Sequence, residues 1–148
     1  MMQVPPFLEA IKNTIPYADI IFGNEAEAAT LAEVMKWEEK TVADIAKKLA
    51  AEPKTNEARP RIVVFTQGAD ATIVATGGEV TEYPIIPCPE LIDTNGAGDA
   101  FVGGFLSKLV QGEGMDECCR AGNYAANVII QRSGCTYPDE GFEVPAKA

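Results

Sequence analysis

The segment Asp93-Thr-Asn-Gly-Ala-Gly-Asp99 concentrates the residue types best suited to chemistry in this chain. It follows the apolar pair Leu91-Ile92, read as a strand, and opens an apolar helix carrying Ala100, Phe101, Val102, Phe105 and Leu106. Small residues at 96–98 let successive backbone N–H groups converge on one point at a helix N-terminus. Such a nest, backed by the helix dipole, is a ready anion site, and glycines let a phosphate approach the backbone closely. Asp99 falls in the first turn, beside that anion. A carboxylate there suits acceptance of the proton of an attacking hydroxyl, while the amides at Gly96, Ala97 and Gly98 stabilise charge on a transferring phosphoryl group. The plainer reading makes Asp99 a dipole-compensating acid and the glycines a tight turn.

Three further sets of residues carry two readings each. Asn24-Glu-Ala-Glu27 has the spacing of a capping box, which accounts for both Asn24 and Glu27; the functional reading places Asn24 near phosphate and Glu27 on water around Mg²⁺. Thr66-Gln-Gly68 ends a β-branched run, where an open α/β sheet binds ligands. There Thr66 and Gly68 meet a nucleotide or simply cap the strand. Asn123 lies among the small residues of Arg120-Ala-Gly-Asn-Tyr-Ala-Ala-Asn127, facing a nucleotide or serving as a solvated or capping Asn. The small residues at 121, 122, 125 and 126 predict close packing against a neighbouring helix or strand. Arg132 is read as neutralising the end of its helix.

Composition narrows the chemistry. The chain has 148 residues, 12 Lys+Arg against 22 Asp+Glu for a net charge of −10, and no histidine. A Ser-His-Asp or Cys-His relay and a histidine metal site are therefore excluded. The acidity argues against nucleic acid, which needs a basic patch. It does not argue against a phosphate held by backbone and metal. From residue 75 onward there are four cations, Lys108, Arg120, Arg132 and Lys147, against 11 acids, so such a phosphate relies on backbone amides and Mg²⁺. Cysteines 88, 118, 119 and 135 form no CxxC pair, which argues against zinc and a disulfide framework and for reduced thiols in a cytoplasmic setting. No window approaches a membrane span, and the first residues lack the pattern of a secretory leader.

The elements that must position these residues alternate. Pro5-Pro6 opens a helix with Phe7, Leu8, Ile11 and Ile15 on one face, stopped at Pro16. Residues 18–23 read as a buried strand, Asn24 onward as a helix, and 41–51 as another with Val42, Ile45, Ala46 and Leu49 inward. After a polar loop at 53–60 come a buried strand at 61–66, a turn at 67–70, and a hairpin of 71–76 with 80–86. Helices at about 97–110 and 116–132 finish the chain, the second stopped at Gly134. The class is α/β with a mixed or mostly parallel sheet.

Together NEAE at 24–27, TQG at 66–68 and DTNGAGD at 93–99 resemble the ribokinase-like (PfkB) sugar and nucleoside kinases, in that family's order and each at a strand end. The strings FGNEAEAATLA, VVFTQGAD, DTNGAGDAFVGGFLSKLV and VIIQRSGCTYP are similar to the C-terminal half of the family's adenosine kinase branch, especially plant-type members. The likeness runs from about Pro5 to Pro138. It implies a partial three-layer α/β/α fold, the ATP-side portion of a kinase domain over residues 1–148, with the N-terminal half and β-lid absent. It further implies phosphorylation of adenosine at its 5′-hydroxyl by ATP, with Asp99 as base and Gly96, Ala97 and Gly98 as anion hole. Asn24, Thr66, Gly68, Asn95 and Asn123 fall on the nucleotide side and Glu27 on Mg²⁺ through water. Carbonyls around Asp93, Asn95, Arg132 and Gly134 fall where a monovalent cation is held. The resemblance implies ATP and adenosine as partners, no nucleic acid or membrane, and a monomer. Pro87-Cys-Pro-Glu-Leu is shorter than in relatives, and Cys88 stands where an adenosine-side polar contact is expected. With most of the acceptor site missing, the isolated chain is expected to bind nucleotide weakly and to turn over slowly or not at all. A non-catalytic nucleotide-binding fragment and another PfkB kinase are the alternative readings.

Overall fold

The computed structural model describes residues 6–141 and 143–147. The readings on residues 1–5, including the Pro5 half of the helix start, lie outside the described residues. Two compact units divide the chain, residues 1–82 and 83–148.

In the first unit, α1 (Pro6–Thr14) runs into a 3-10 turn (Ile15–Tyr17), followed by β1 (Ile20–Asn24), α2 (Glu25–Met35), α3 (Val42–Ala51), β2 (Ile62–Gln67), β3 (Asp70–Thr76) and β4 (Glu79–Tyr83). The sheet order is β1-β2-β3-β4. β1 and β2 pair in parallel, while β2 and β3 form an antiparallel hairpin. The sheet is thus mixed rather than mostly parallel, because a two-residue turn at Gly68-Ala69 returns the chain beside β2. Thr41 caps α3 by accepting from the Asp44 amide at 3.1 Å. Ile45, Ala46 and Leu49 of α3 and Ala28 and Ala32 of α2 pack with Val63, Phe65, Ile73 and Ala75 into the core of this unit. Strand alternation turns Val64 and its register partner Val74 the other way, and both are buried.

Arg61, read from sequence as the first residue of a strand, is a buried charge at 2% exposure. Its guanidinium donates to the carbonyls of Ile15, Ala18, Leu49, Glu52 and Pro53 at 2.7–3.2 Å. Five donors in a rigid fork suit such a cluster of acceptors. The side chain binds the 3-10 turn, the entry to β1 and the end of α3 into one body. Burial pulls its pKa below the ordinary guanidinium range.

In the second unit, α4 (Ala97–Leu109) and α5 (Met115–Ile130) form a helical hairpin. The small residues expected to allow close packing do so: a Cβ on Gly104 would fall on the Ala121 carbonyl, and one on Gly122 would lie 2.8 Å from the Phe101 ring. Cys118 and Cys119 are buried in this hairpin, and burial pushes the Cys119 thiol up to about 12.

Several sequence expectations change. The apolar face assigned to α1 is not buried: Phe7 is 63% and Ile11 49% exposed, and Ile15 alone of that stripe is buried. β1 is half-buried rather than buried, since it is an outer strand of the sheet. β4 ends at Tyr83, ahead of Pro84, which offers no N–H to a ladder. α5 ends at Ile130 with Gln131 as its cap, so Gly134 (φ +73°) is a turn residue beyond the helix rather than its stop.

Candidate functional site

The first unit brings together two of the three motifs at the carboxyl end of its parallel strands. β1 and β2 are in register such that Asn24 faces Thr66. Asn24 is the N-cap of α2: its Oδ1 accepts from the Glu27 amide at 2.9 Å, and Glu27 Oε2 accepts from the Asn24 amide at 2.8 Å. The capping box expected from spacing is therefore formed, and it occupies one oxygen of Glu27. Both residues are nonetheless exposed. Gly23 lies under the box, where a Cβ would sit 3.2 Å from Glu27 Oε2 and 3.0 Å from the Phe65 ring. The Thr66 hydroxyl donates to the Gly23 carbonyl at 3.4 Å. Thr66 also marks a register shift between Phe65 and Gln67, the kind of irregularity that re-aims a side chain at a strand end. Gln67 Nε2 donates to the Ala71 carbonyl at 2.7 Å and closes the hairpin. Gly68 (φ +58°) stands in that turn with open space around its Cα, as a site of backbone approach requires.

The second unit carries the third motif. No strand precedes it: Leu91 and Ile92 are exposed, and the Ile92 and Asp93 amides both donate to the Ile130 carbonyl, at 2.8 and 3.0 Å. Prolines 84, 87 and 89 strip this stretch of donors, and the end of α5 takes the place of a neighbouring strand. Gly96 is the N-cap of α4 in the left-handed region, φ +79°. The Ala97 amide donates back to Thr94, and the first bond of the helix runs from the Ala100 amide to Gly96. The amides of Gly98 and Asp99 lie between these two, in the stretch where a helix leaves its donors without internal partners. Asp99 is exposed beside them in the first turn.

What holds this loop was only partly legible in the sequence. Asp93, expected to contribute a carbonyl, works through its carboxylate. Oδ1 accepts from the Asn95 amide at 2.9 Å and Oδ2 from the Gly134 amide at 3.1 Å. These amides hold its carboxyl below the ordinary 3.8. The Asp-x-Asn spacing is an Asx-turn signal that could have revealed the first of these bonds. Cys135 is the second unforeseen residue: its Sγ packs on Gly96, where a Cβ would lie only 2.6 Å away. Tyr137 stands against Cys135. Charge on that sulfur and a hydrogen bond to it, then burial and Asp99, push the Tyr137 hydroxyl above the ordinary 10.0.

The remaining candidates are placed as follows. Asn123 is neither solvated nor a cap; it is 8% exposed on α5, and its Nδ2 has no protein acceptor. Arg132 lies just past the helix; its amide donates to the Ile129 carbonyl at 3.0 Å and its side chain to the Thr136 hydroxyl at 3.2 Å. The 93–95 and 132–134 segments meet through Asp93, while the Gly134 carbonyl accepts from the Thr136 amide at 2.9 Å. Cys88 donates to the Glu90 carbonyl at 3.1 Å. Among the described residues no three His, Cys, Asp or Glu side chains cluster as metal ligands. The chain thus offers a cation the uncommitted oxygen of Glu27, which suits a Mg²⁺ held mainly by phosphates and water.

Comparison with known proteins gives this arrangement a context. The pfkB family carbohydrate kinase model matches residues 1–140. Adenosine kinase 1 of Arabidopsis thaliana is 55% identical over 136 residues, which cover 90% of this chain and 40% of that protein. A crystal structure of Anopheles gambiae adenosine kinase in complex with P1,P4-di(adenosine-5) tetraphosphate superposes with a TM-score of 0.79 at 44% identity, covering 86% of this chain and 38% of that one. A Schistosoma mansoni adenosine kinase in complex with adenosine and AMP superposes at 0.77 with 34% identity, covering 90% and 41%. The chain therefore spans about two-fifths of the length of these relatives.

Proposed function

The chain belongs to the pfkB family of carbohydrate kinases, and from that premise we propose that it carries the nucleotide-side portion of an adenosine kinase. The observation that carries this reading is the left-handed Gly96 cap, which opens the Gly98 and Asp99 amides beside the Asp99 carboxylate. In this reaction the 5′-oxygen of adenosine forms a bond to the γ-phosphorus of ATP as the bond from that phosphorus to the β,γ-bridging oxygen breaks. The hydroxyl proton passes to Asp99, and AMP and ADP result. Of the anion hole expected at Gly96, Ala97 and Gly98, the Ala97 amide is turned back to Thr94. The Gly98 amide, with that of Asp99 and the positive end of the α4 dipole, meets the charge spread over the transferring group.

Asn24 and Thr66, facing each other across β1 and β2, and Gly68 in the hairpin turn accompany the nucleotide phosphates. Asn123, with its unpaired Nδ2, belongs to the nucleoside side of ATP. Glu27 would hold Mg²⁺ through water, and the metal would supply neutralisation of phosphate charge. The segments joined by Asp93 and Gly134 are the place of a monovalent cation. The assignments of Asn24, Glu27, Thr66 and Gly68 are supported by position within the motifs shared with the family, and that of Asn123 by its buried, unpaired Nδ2. No helix among the described residues is long and apolar enough to cross a membrane.

The test is a chimera of the Arabidopsis relative in which the matched 136 residues are replaced by their counterparts from this chain. It should form AMP from adenosine, and Asp99→Asn should lower kcat by about 10²–10⁴-fold, the usual span for a general base. Undiminished turnover in that variant removes Asp99 as the base. A second reading, nucleotide binding without turnover by the chain alone, is favoured by its coverage of only 40% of that relative. An inactive chimera that still binds ATP would support it.

A further inference from the structure

The chain that leaves α5 doubles back along it. Near the end of the helix, Ile129 and Cys135 both meet Gly96. The Pro145 carbonyl, by contrast, accepts from the guanidinium of Arg120, a residue about 15 Å back along the axis from Ile130. Of the described residues from 135 to 147, only Pro138 and Val144 are even half-buried. The returning stretch thus has little apolar anchorage, and the polar contacts at its two ends decide where it lies.

At the near end the Gly134 amide is held by Asp93, the Arg132 side chain donates to the Thr136 hydroxyl, and the Cys135 sulfur covers Gly96. The far end is ionic. Glu117 grips Arg120 with both oxygens, at 2.7 and 3.0 Å, which aims another guanidinium N–H at Pro145. Lys147 pairs with Asp116 and, at 3.9 Å, with Glu117. The hydrogen bond from Lys147 holds the Asp116 carboxyl below the ordinary carboxylate range, and the same bond raises Lys147, so both stay charged. Their side chains are more than half exposed, and exposed pairs hold weakly and are screened by salt.

We propose that residues 135–147 are a strap whose ionic clasp, Arg120 on Pro145 and Lys147 on Asp116 and Glu117, keeps Cys135 seated on Gly96. Loss of the Lys147 charge, or its screening, lets the strap lift. Cys135 then leaves the glycine, and the Gly96 loop with its Gly98 and Asp99 amides gains freedom. The clasp therefore regulates, from the opposite end of α5, how well ordered that loop is. Only the naming of an anion as the loop's ligand rests on the function proposed above. The strap itself rests on contacts within the second unit.

The experiment follows alkylation of Cys135 by iodoacetamide in the 148-residue chain, with half-buried Cys88 as internal reference. Lys147→Gln should speed the Cys135 reaction by about threefold or more, and Arg120→Gln/Lys147→Gln by about tenfold, with Cys88 and circular dichroism unchanged. Hydrogen exchange at the amides of residues 96–99 should rise with it. Asp116→Asn should also speed the reaction but add little to Lys147→Gln, because both remove the same pair. In the parent, raising salt from about 0.05 to about 0.5 M should act in the same direction. A Lys147→Gln rate equal to the parent's overturns the proposal, as does an equal rise at Cys88. Faster alkylation with unmoved exchange at 96–99 overturns it too, since the strap would then not bear on the loop. Should Lys147→Gln disturb the circular dichroism, the parent decides: a Cys135 rate indifferent to salt overturns the clasp. None of these readouts involves adenosine or turnover, so their failure is distinct from a failure of Asp99 as base.

Discussion

The Asp93 carboxylate accepts a hydrogen bond from the Gly134 amide at 3.1 Å, joining the start of the Gly96 loop to the turn that follows α5, 41 residues later. Its other oxygen holds the Asn95 amide. One ionised side chain therefore fixes the loop and the turn that carries Cys135, whose sulfur covers Gly96. The geometry that points the loop amides outward is thus set by contacts within residues 93–135.

This pairing makes the loop sensitive to acid. Asp93 is held below 3.8 in the folded chain, so its contribution to stability is complete above pH 3.8 and is lost as pH falls through its lowered pKa. The Asn95 and Gly134 amide resonances should move together, with a shared midpoint below 3.8. Separate midpoints, or one at or above that value, would show that the two bonds do not share the carboxylate.

Gly96→Ala meets two obstacles, the left-handed backbone and the Cys135 sulfur. Chemical denaturation should show a loss of about 2–4 kcal/mol. Adding Cys135→Ala removes the overlap but not the backbone strain, so the double variant should recover about half of that loss. Strictly additive effects would contradict the contact.

Asn24 separates capping from ligand binding. Asn24→Ala should cost about 1 kcal/mol through loss of the cap. Asn24→Asp caps equally well, so the parent's stability should return. In the chimera, however, its new charge should raise the KM for ATP by about tenfold through repulsion of phosphate. An unchanged KM would leave Asn24 a cap and nothing more.

Arg61→Met strips donors from five carbonyls, and thermal or urea unfolding should report a loss of about 3–5 kcal/mol. Arg61→Lys keeps the charge but not the fork, and should regain less than half of it. A Lys variant as stable as the parent would mean that charge, not geometry, does the work.

The isolated chain, mixed with ATP, Mg²⁺ and adenosine, should form AMP at a rate at least about 10²-fold below the chimera, because positioning of the acceptor accounts for so much of the rate. Equal rates would mean that the chain alone supplies the acceptor site.

The features readable from sequence are those whose determinants lie within a few residues. The Asn24–Glu27 capping box, the α3 stripe and the Gly68 turn are written in local spacing and appear where expected. Leu91-Ile92 looked like a strand because apolarity alone does not say whether a partner strand is present; here the partner is the Ile130 carbonyl. Phe7 and Ile11 have the spacing of a buried face, but burial depends on what lies opposite. Arg61 beside Ile-Val-Val reads as a strand end; its acceptors come from residues 15–53, and no window holds them together. Of the candidate site, the capping box and the left-handed glycine turns are legible, whereas the braces, Asp93 through Gly134 and Cys135 against Gly96, depend on the return of the chain from α5.

The crossing of Gly104 with Ala121 has a mechanical consequence. At Gly104 backbone meets the Ala121 backbone, with no rotamer there to yield, while Gly122 seats the Phe101 ring against α5. A helix seated in this way behaves like a keyed shaft: neither a slide along its axis nor a roll about it is open without separating the hairpin. The bearing of the first-turn amides is therefore fixed by the packing of the hairpin, and the anion binding proposed at that end would need no search through helix orientations.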